Sequence, residues 1–318
     1  MTSIVIPAHN EGRVIGRLLD ALLADTSETG PDIVVVCNGC TDDTARAAGG
    51  RGDRVRVVEV PTPSKHLALR VGDEHARGFP RLYVDADVVV GAADVRALVG
   101  ALDRNPDLLA VAPGRDIPLA GCAWPVRAYY GVWQRLPAVR EGLFGRGVIA
   151  VNEPGHARLA ALPPLMADDL AASLAFGPGE RRVVEEARVV VRPPRTWSDL
   201  IRRRVRAATS SAEYERFQAA RRAEAREPAR GSAPEQAPES ARESVSESVA
   251  ESAPEPVSEQ TARTGTADLR AVLRARPALL PGVVVFVLAA LAARRGSRKA
   301  IRDQDFSTWL RDESSRQG

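Results

Sequence analysis

The sequence predicts a doubly wound α/β domain, and three observations carry that expectation. Four runs rich in β-branched residues, SIVIP, DIVVVCN, VRVVEV and RLYVDAD, follow one another through the N-terminal third. The apolar stretches in SIVIP and DIVVVCN are continuous rather than alternating, the pattern of a strand covered on both faces. Between them lie segments of helical period, such as Val14, Ile15, Leu18, Leu19, Leu22 and Leu23. Strand–helix alternation of this kind implies a mixed, mostly parallel sheet flanked by helices.

The pattern loosens from about residue 116 to 165, where Trp124, Tyr129, Tyr130 and Trp133 gather. A helix is expected at MADDLAASLAF, a strand at RRVVEEARVVV, and a basic helix from Thr196 to about Arg226. Residues 227–266 then repeat Glu, Ser, Pro and Ala without an aromatic residue, too polar to offset the entropy of ordering, and read as a disordered linker. A hydrophobic helix is expected at 277–293, between Arg274 and Arg276 on one side and Arg294, Arg295, Arg298 and Lys299 on the other. Three organisational units follow: a domain at 1–226, a linker at 227–266 and a C-terminal segment at 267–318. At ~1.5 Å per residue the apolar run reaches ~25 Å, short of the ~30 Å hydrocarbon core. A marginal membrane span, an inserted anchor and a helix packed on the main domain all remain open, and basic residues on both sides give no orientation.

With 318 residues and 44% hydrophobic content the chain has material for a sizeable core. A net charge of +3 implies no nucleic-acid partner, and none is expected. No secretory leader precedes SIVIP, so the expected location is the cytoplasm, against the inner face of the cell membrane. Three cysteines in a reducing compartment argue against a structural disulfide.

Candidate chemistry collects at strand ends. YVDADVVV puts Asp85 and Asp87 beyond a buried strand, the edge where open α/β sheets bind ligands. Two neighbouring carboxylates repel unless a cation lies beside them, and a hard divalent ion, Mg²⁺ or Mn²⁺, shared with substrate phosphates answers that need. SIVIPAHNEG ends the first strand, with Asn10 expected to cap the next helix. CNGCTDDT ends the second, with Gly39 in a sharp turn and Thr41 as the expected cap. Asp168 and Asp169 stand at a later helix start, and Arg203 and Arg206, three residues apart, present guanidinium forks suited to a diphosphate.

Taken together these stretches resemble the family 2 glycosyltransferases of the GT-A fold, over roughly residues 1 to 215. Pro7, Ala8, His9, Asn10 and Glu11 resemble the family's P-x-x-N-E, and Cys37 to Thr44 its D-D-G-S-x-D-x-T loop. SKHLALRVG resembles G-K-x-x-A-L-N-x-G, keeping Lys65 and Gly72 but not the positions of Ser64 and Arg70. Asp85 and Asp87 match the D-x-D, Asp168 and Asp169 the E-D pair, and Arg203 to Ala207 part of Q-x-x-R-W. The resemblance implies transfer of a sugar, with inversion, from a nucleoside diphosphate sugar, UDP-linked by expectation, to the hydroxyl of a glycan or lipid-linked acceptor. It implies donor contacts from Pro7, Ala8, His9, Asn10, Glu11, Asn38, Gly39, Lys65, Asp85, Ala86, Arg203 and Arg206. It further implies metal ligation by Asp87 with Asp85, and general-base catalysis by Asp169 beside Asp168. Ala207 replaces the tryptophan associated with processive synthesis, which favours single addition.

The C-x-x-C formed by Cys37 and Cys40 has no second pair or nearby histidine to complete a zinc site, and reads as small side chains in a nucleotide loop. Asn38 stands where the family has an acid, and its amide oxygen can still accept a base N–H. Two other functions compete. A nucleotidyltransferase would show a Gly-rich basic loop after the first strand, which PAHNEG is not. A scaffold that binds nucleotide or glycan would not need the acidic pairs.

Overall fold

Each apolar run of the N-terminal third becomes a strand. In the computed structural model, which describes residues 1–24, 30–164, 168–226 and 265–302, these are β1 (Ser3–Ala8), β2 (Asp32–Asn38), β3 (Val55–Val60) and β4 (Arg81–Val84). Every residue of β1 and all but the first of β2 are buried, whereas the edge strand β3 is mostly half-buried. The connecting helices are α1 (Ile15–Leu22), α2 (Thr44–Gly49) and α3 (Lys65–His75). At eight residues α1 is too short to persist alone. It is held by burial of Ile15, Leu18, Leu19 and Leu22, one stripe at helical spacing, worth roughly 1.5–3 kcal/mol per side chain.

Then come β5 (Val89–Val90), α4 (Ala92–Asp103), β6 (Ala110–Asp116), α5 (Trp124–Trp133), α6 (Pro137–Glu141), β7 (Val148–Val151) and α7 (Glu153–Ala160). They are followed by α8 (Asp168–Leu174), β8 (Arg181–Val190), α9 (Trp197–Arg226), α10 (Thr266–Ala275) and α11 (Leu280–Arg302). One sheet joins all eight strands in the order β3-β2-β1-β4-β7-β6-β8-β5. Strands β3, β2, β1 and β4 run parallel, β7 runs against both β4 and β6, and β5 runs against β8. The mixed sheet matches the expectation. Because β1 and β2 pair from Ser3↔Asp32 to Ala8↔Cys37, and β1 and β4 from Ser3↔Arg81, the loops after all three strands emerge at one edge.

Two expected helix caps are not formed. The cap of α1 is Val14, without a side-chain bond, and that of α2 is Asp43. Asn10 instead adopts φ 54°, a left-handed conformation that asparagine tolerates, and its Oδ1 accepts the Thr41 N–H at 2.7 Å. The two residues expected to cap separate helices therefore fasten the first two loops to each other. Loop geometry overrode cap preference because the β1–α1 connection makes an extra turn before its helix starts.

Two cores result. Helices α1 and α4 and the sheet enclose the first, containing Ile4, Ile6, Leu18, Val35, Leu82 and Leu98. The second joins α5, α9, α10 and α11 through Val126, Tyr129, Leu200, Val272, Phe286 and Ala289. The C-terminal apolar helix is thus packed on the main domain along one face, and Arg216 of α9 donates to the Ile301 carbonyl at 2.7 Å. It is longer than the 277–293 expected, because charged residues continue its period to Arg302. Of the expected linker, residues 227–264 lie outside the described residues, and Thr266 already opens α10.

Candidate functional site

Between the parallel strand ends and the second core lies a cavity of about 710 Å³, a size suited to a small-molecule ligand. From the expected site residues it gathers Pro7, His9, Glu11, Asn38, Lys65, Asp85, Ala86, Asp87, Asp169, Arg203 and Arg206. Ala8, Asn10 and Gly39 stand behind that surface and shape it. The Ala8 carbonyl accepts Asn38 Nδ2 at 2.8 Å, which leaves Oδ1, an acceptor, as the amide atom available to a ligand. His9 Nδ1 lies 2.5 Å from the Asn38 carbonyl, closing β1 onto β2. Gly39, at φ 57°, passes so close to Pro63 that a Cβ would lie 2.8 Å from it, so only glycine makes this turn without strain.

The cysteine pair is settled by position. Cys37, next to last in β2, is buried in the core, Cys40 Sγ sits 3.5 Å from the Ala8 carbonyl, and both are free thiols. Burial, with Cys40 beside it, pushes the Cys37 thiol up to about 12, so it holds its proton at neutral pH and carries no thiolate chemistry.

Strand β4 stops at Val84, and the chain turns so that Asp85 and Asp87 both border the cavity with Ala86 between them. Asp85 pairs with Lys65 Nζ at 2.9 Å, bringing the first turn of α3 against the end of β4. Burial alone would push the Asp85 carboxyl up. The Lys65 ammonium, with Arg206 and Arg203 beyond it, outweighs burial and holds the carboxyl below the usual carboxylate range. Across the cavity Arg206 is lowered by burial and by Arg203, against the pull of Asp169, Asp85 and Asp87. A guanidinium keeps its charge under such pressure, so the cations Arg203 and Arg206 and the carboxylates Asp85, Asp87 and Asp169 border the same cavity. Arg17, lowered by burial and by Arg192, also lies within the electrostatic reach of Asp87, which the sequence did not announce.

Asp169 is fixed by its backbone neighbours: Gly145 N–H donates to Oδ2 at 3.0 Å and Leu170 N–H to Oδ1 at 2.8 Å. It opens α8 together with Asp168, whose side chain lies outside the described residues. No group of three or more His, Cys, Asp or Glu side chains forms a metal cage among the described residues. Two carboxylates, Asp85 and Asp87, fit an ion that takes one or two protein carboxylates and completes its shell with phosphate oxygens and water.

The opposite wall is apolar. Tyr129, Tyr130 and Trp133 of α5, Phe144 and Leu200 line it, joined by Phe286 of α11, which stacks on Tyr129 with centroids 5.2 Å apart and planes at 15°. Arg115 lies over the Trp133 ring at 4.7 Å. The aromatic cluster was visible in the sequence, but Phe286 lay inside an apolar run that the sequence left open between a membrane span, an anchor and a helix packed on the main domain.

Comparison with known proteins agrees with this geometry. The family model described as glycosyl transferase family 2 matches residues 3–157, the span that builds the strand-end wall. A glycosyltransferase of uncharacterised specificity from Mycobacterium bovis is 34% identical over 165 residues, covering 46% of this chain and 71% of its own. The 4,4'-diaponeurosporenoate glycosyltransferase of Staphylococcus aureus is 35% identical over 118 residues, covering 35% of this chain and 31% of its own. Among solved structures, a mannosyltransferase from Pyrobaculum calidifontis in complex with GDP-Man and Mn²⁺ superposes with a TM-score of 0.55 at 20% identity. That match covers 95% of this chain and 75% of the other, and shows a shared fold of the GT-A type. With the strand-end carboxylates, the fold and the matched relatives in agreement, the chain belongs to family 2 of the glycosyltransferases.

Proposed function

We propose that this glycosyltransferase is metal-dependent and inverting, and moves a sugar from a nucleoside diphosphate sugar, UDP-linked by preference, to an acceptor hydroxyl on a glycan or lipid-linked molecule. One observation carries the reading: Asp85, Asp87, Asp169, Arg203 and Arg206 border a single cavity at the strand ends. The base would lie on Asn38, whose Oδ1 accepts an N–H, with Pro7, His9 and Glu11 lining the same corner. Mg²⁺ or Mn²⁺, held by Asp87 and Asp85, supplies charge neutralisation for the diphosphate when bound. Arg203 and Arg206 take the remaining phosphate charge, and Lys65 keeps Asp85 ionised and in place.

In the reaction the acceptor oxygen bonds to the anomeric carbon as the bond to the diphosphate breaks, its electron pair leaving with the nucleoside diphosphate. The hydroxyl proton passes to Asp169, whose two backbone hydrogen bonds aim its carboxylate at the acceptor side. Membrane contact through 277–293 completes the proposal, and with it a position on the inner face of the cell membrane. Leu280, Val284, Val287, Leu288 and Leu291 form an exposed apolar stripe on α11, between 40% and 57% accessible, while its other face is buried in the second core. A helix packed in this way lies along an interface rather than across a bilayer.

The test is the thermal stability of the full chain with UDP, GDP and TDP, each with and without Mn²⁺. A ligand of the folded state at a hundredfold excess over Kd stabilises by roughly 2.7 kcal/mol. A metal-dependent shift with one diphosphate, lost in Asp87→Ala, is the expected outcome; no shift with any of the three would favour the scaffold function.

A further inference from the structure

Two guanidiniums outside the cavity lining converge on one stretch of backbone. Arg146 is 2% exposed, and donates through Nε to the Gly142 carbonyl at 3.0 Å and through Nη1 to that of Pro113 at 2.8 Å. Its Nη2 donates to the carbonyls of Val139 at 3.3 Å and Arg140 at 2.8 Å. Arg115, half-buried on β6, donates to the Gly145 carbonyl at 3.3 Å and also to that of Val139. Among the described residues every hydrogen bond of both side chains ends on a backbone carbonyl, and the Val139 oxygen takes one from each.

Val139 and Arg140 lie in α6 and Gly142 follows it, and the carbonyls of a helix end need donors. Neutral donors would serve a helix of five residues, whereas two like charges meeting at one oxygen repel each other. Burial first, and Arg146 second, push the Arg115 guanidinium down to about 9, against the pull of Tyr130 and Asp169. Burial lowers Arg146 to about 10. Capping α6 does not by itself account for this much charge, and the far side of the segment offers a further role.

The stretch from Val139 to Gly147 reaches two carboxylates of the site. Leu143 N–H donates to Ser173 Oγ at 3.0 Å and Gly145 N–H to Asp169 Oδ2 at 3.0 Å, so the stretch lies along the face of α8 that carries both side chains. At its end the Gly147 carbonyl accepts the Asp85 N–H at 2.8 Å. Gly147 holds φ at 67°, and a Cβ there would lie 2.5 Å from Val88 Cγ1, so this end is fixed by close packing. Arg115 acts nearer the base. It grips the carbonyl of Gly145, the residue whose N–H holds Asp169, while its guanidinium is seated over the Trp133 ring at 4.7 Å.

Resting on the function proposed above, we infer that Arg115 is a positioning residue for the base. Through the Gly145 backbone it fixes where the Asp169 carboxylate stands when the acceptor hydroxyl arrives, and Arg146 locks the stretch on which it pulls. Arg115 does not line the cavity, so its removal should slow proton transfer and leave donor binding intact.

Double-mutant kinetics on the full chain test this. UDP-glucose, UDP-N-acetylglucosamine and GDP-mannose, each with Mn²⁺, serve as donors, and turnover is read as nucleoside diphosphate released to water. The water oxygen bonds to the anomeric carbon, its proton passes to Asp169, and the diphosphate leaves with the electron pair of the broken bond. Arg115→Met should lower kcat about tenfold, with donor KM and the calorimetric Kd for UDP within about twofold of the wild type. Arg115→Lys, which keeps a cation and a donor, should recover kcat to within about threefold. Beside Asp169→Asn the methionine loss should fall below about twofold and the lysine loss should disappear, since a residue that acts through Asp169 has nothing left to place. If the methionine variant does not fold, the lysine variant decides: full activity there would overturn the inference. Losses that persist undiminished beside Asp169→Asn, or a donor KM that rises as kcat falls, would overturn it too and leave Arg115 as a support for α6. A wild-type chain that releases no diphosphate from any of the three donors would instead fail the function proposed above, and the inference with it.

Discussion

The two walls of the cavity are made of different material by different means. On the strand-end wall each polar group stands within a few residues of a strand terminus: His9 after β1, Asn38 closing β2, Asp85 and Asp87 after β4. The opposite wall is assembled from α5, α9 and α11, so that Phe286 stacks on Tyr129 from the far end of the chain. Under the proposed function, reaction chemistry would be held by backbone that the sheet makes rigid, and the acceptor would meet helices that pack on it. Changes to the two walls should therefore separate catalysis and donor binding from acceptor affinity and the stability of the second core.

Asp169 lies at the seam and gives the largest expected effect. Asp169→Asn should lower turnover by about 10²–10⁴-fold, the range for loss of a general base, while donor binding measured by calorimetry is unchanged. A parallel loss of donor affinity would mean that the seam belongs to the donor wall. Phe286→Ala should cost about 3 kcal/mol in urea unfolding, the low end for a buried aromatic, since Phe286 borders an opening as well as a core. Nucleotide affinity should survive it.

Asp87→Ala probes the other wall with the opposite signature. The metal-dependent part of nucleotide stabilisation, roughly 2.7 kcal/mol at a hundredfold excess over Kd, should vanish while unfolding without ligand is little altered. Gly39→Ala should cost about 2 kcal/mol in urea unfolding, from the left-handed φ and the 2.8 Å approach to Pro63. If it also disturbed acceptor affinity, the two walls would be coupled through the loop tied by Asn10 and Thr41.

The same division explains what could be read before the structure. Strand runs and the acidic residues that follow them are local signals, since apolar continuity marks a buried strand and the parallel register then brings the strand ends to one edge. Asn10 and Thr41 misled because cap preference is a weak local term, and here it yielded to a contact across 31 positions. Phe286 was illegible for a related reason. Its neighbours Val283, Val285, Leu288 and Leu291 are all apolar, so no periodic contrast distinguishes the face that meets α5 from the face that meets the surroundings. Arg204 sat in view within a basic run, but only the packing of α9 against α5 separates it from Arg203 and Arg206.

The smallest expected effects fall at opposite ends of the pH scale, one for each wall. Lys65 holds the Asp85 carboxyl below its ordinary value. The stability this pair contributes is therefore present above the unfolded carboxylate value of about 3.9 and is lost as pH falls through the lower folded one. Because the Asp85 side chain is 39% exposed, solvent screening limits that contribution to about 1 kcal/mol or less. On the apolar wall, burial pushes the Tyr129 phenol up to about 12 despite the neighbouring Arg204. The folded state then binds its proton longer than the unfolded chain, so stability present below about pH 10 is lost as pH rises toward 12, by about 1 kcal/mol per unit. The difference in urea midpoint between the wild type and Asp85→Asn should close below pH 4, whereas that between the wild type and Tyr129→Phe should open above pH 10, because only the tyrosine ionises on unfolding. An acid limb that disappears in Tyr129→Phe, or an alkaline limb that disappears in Asp85→Asn, would mean that the walls share one network of charge rather than two.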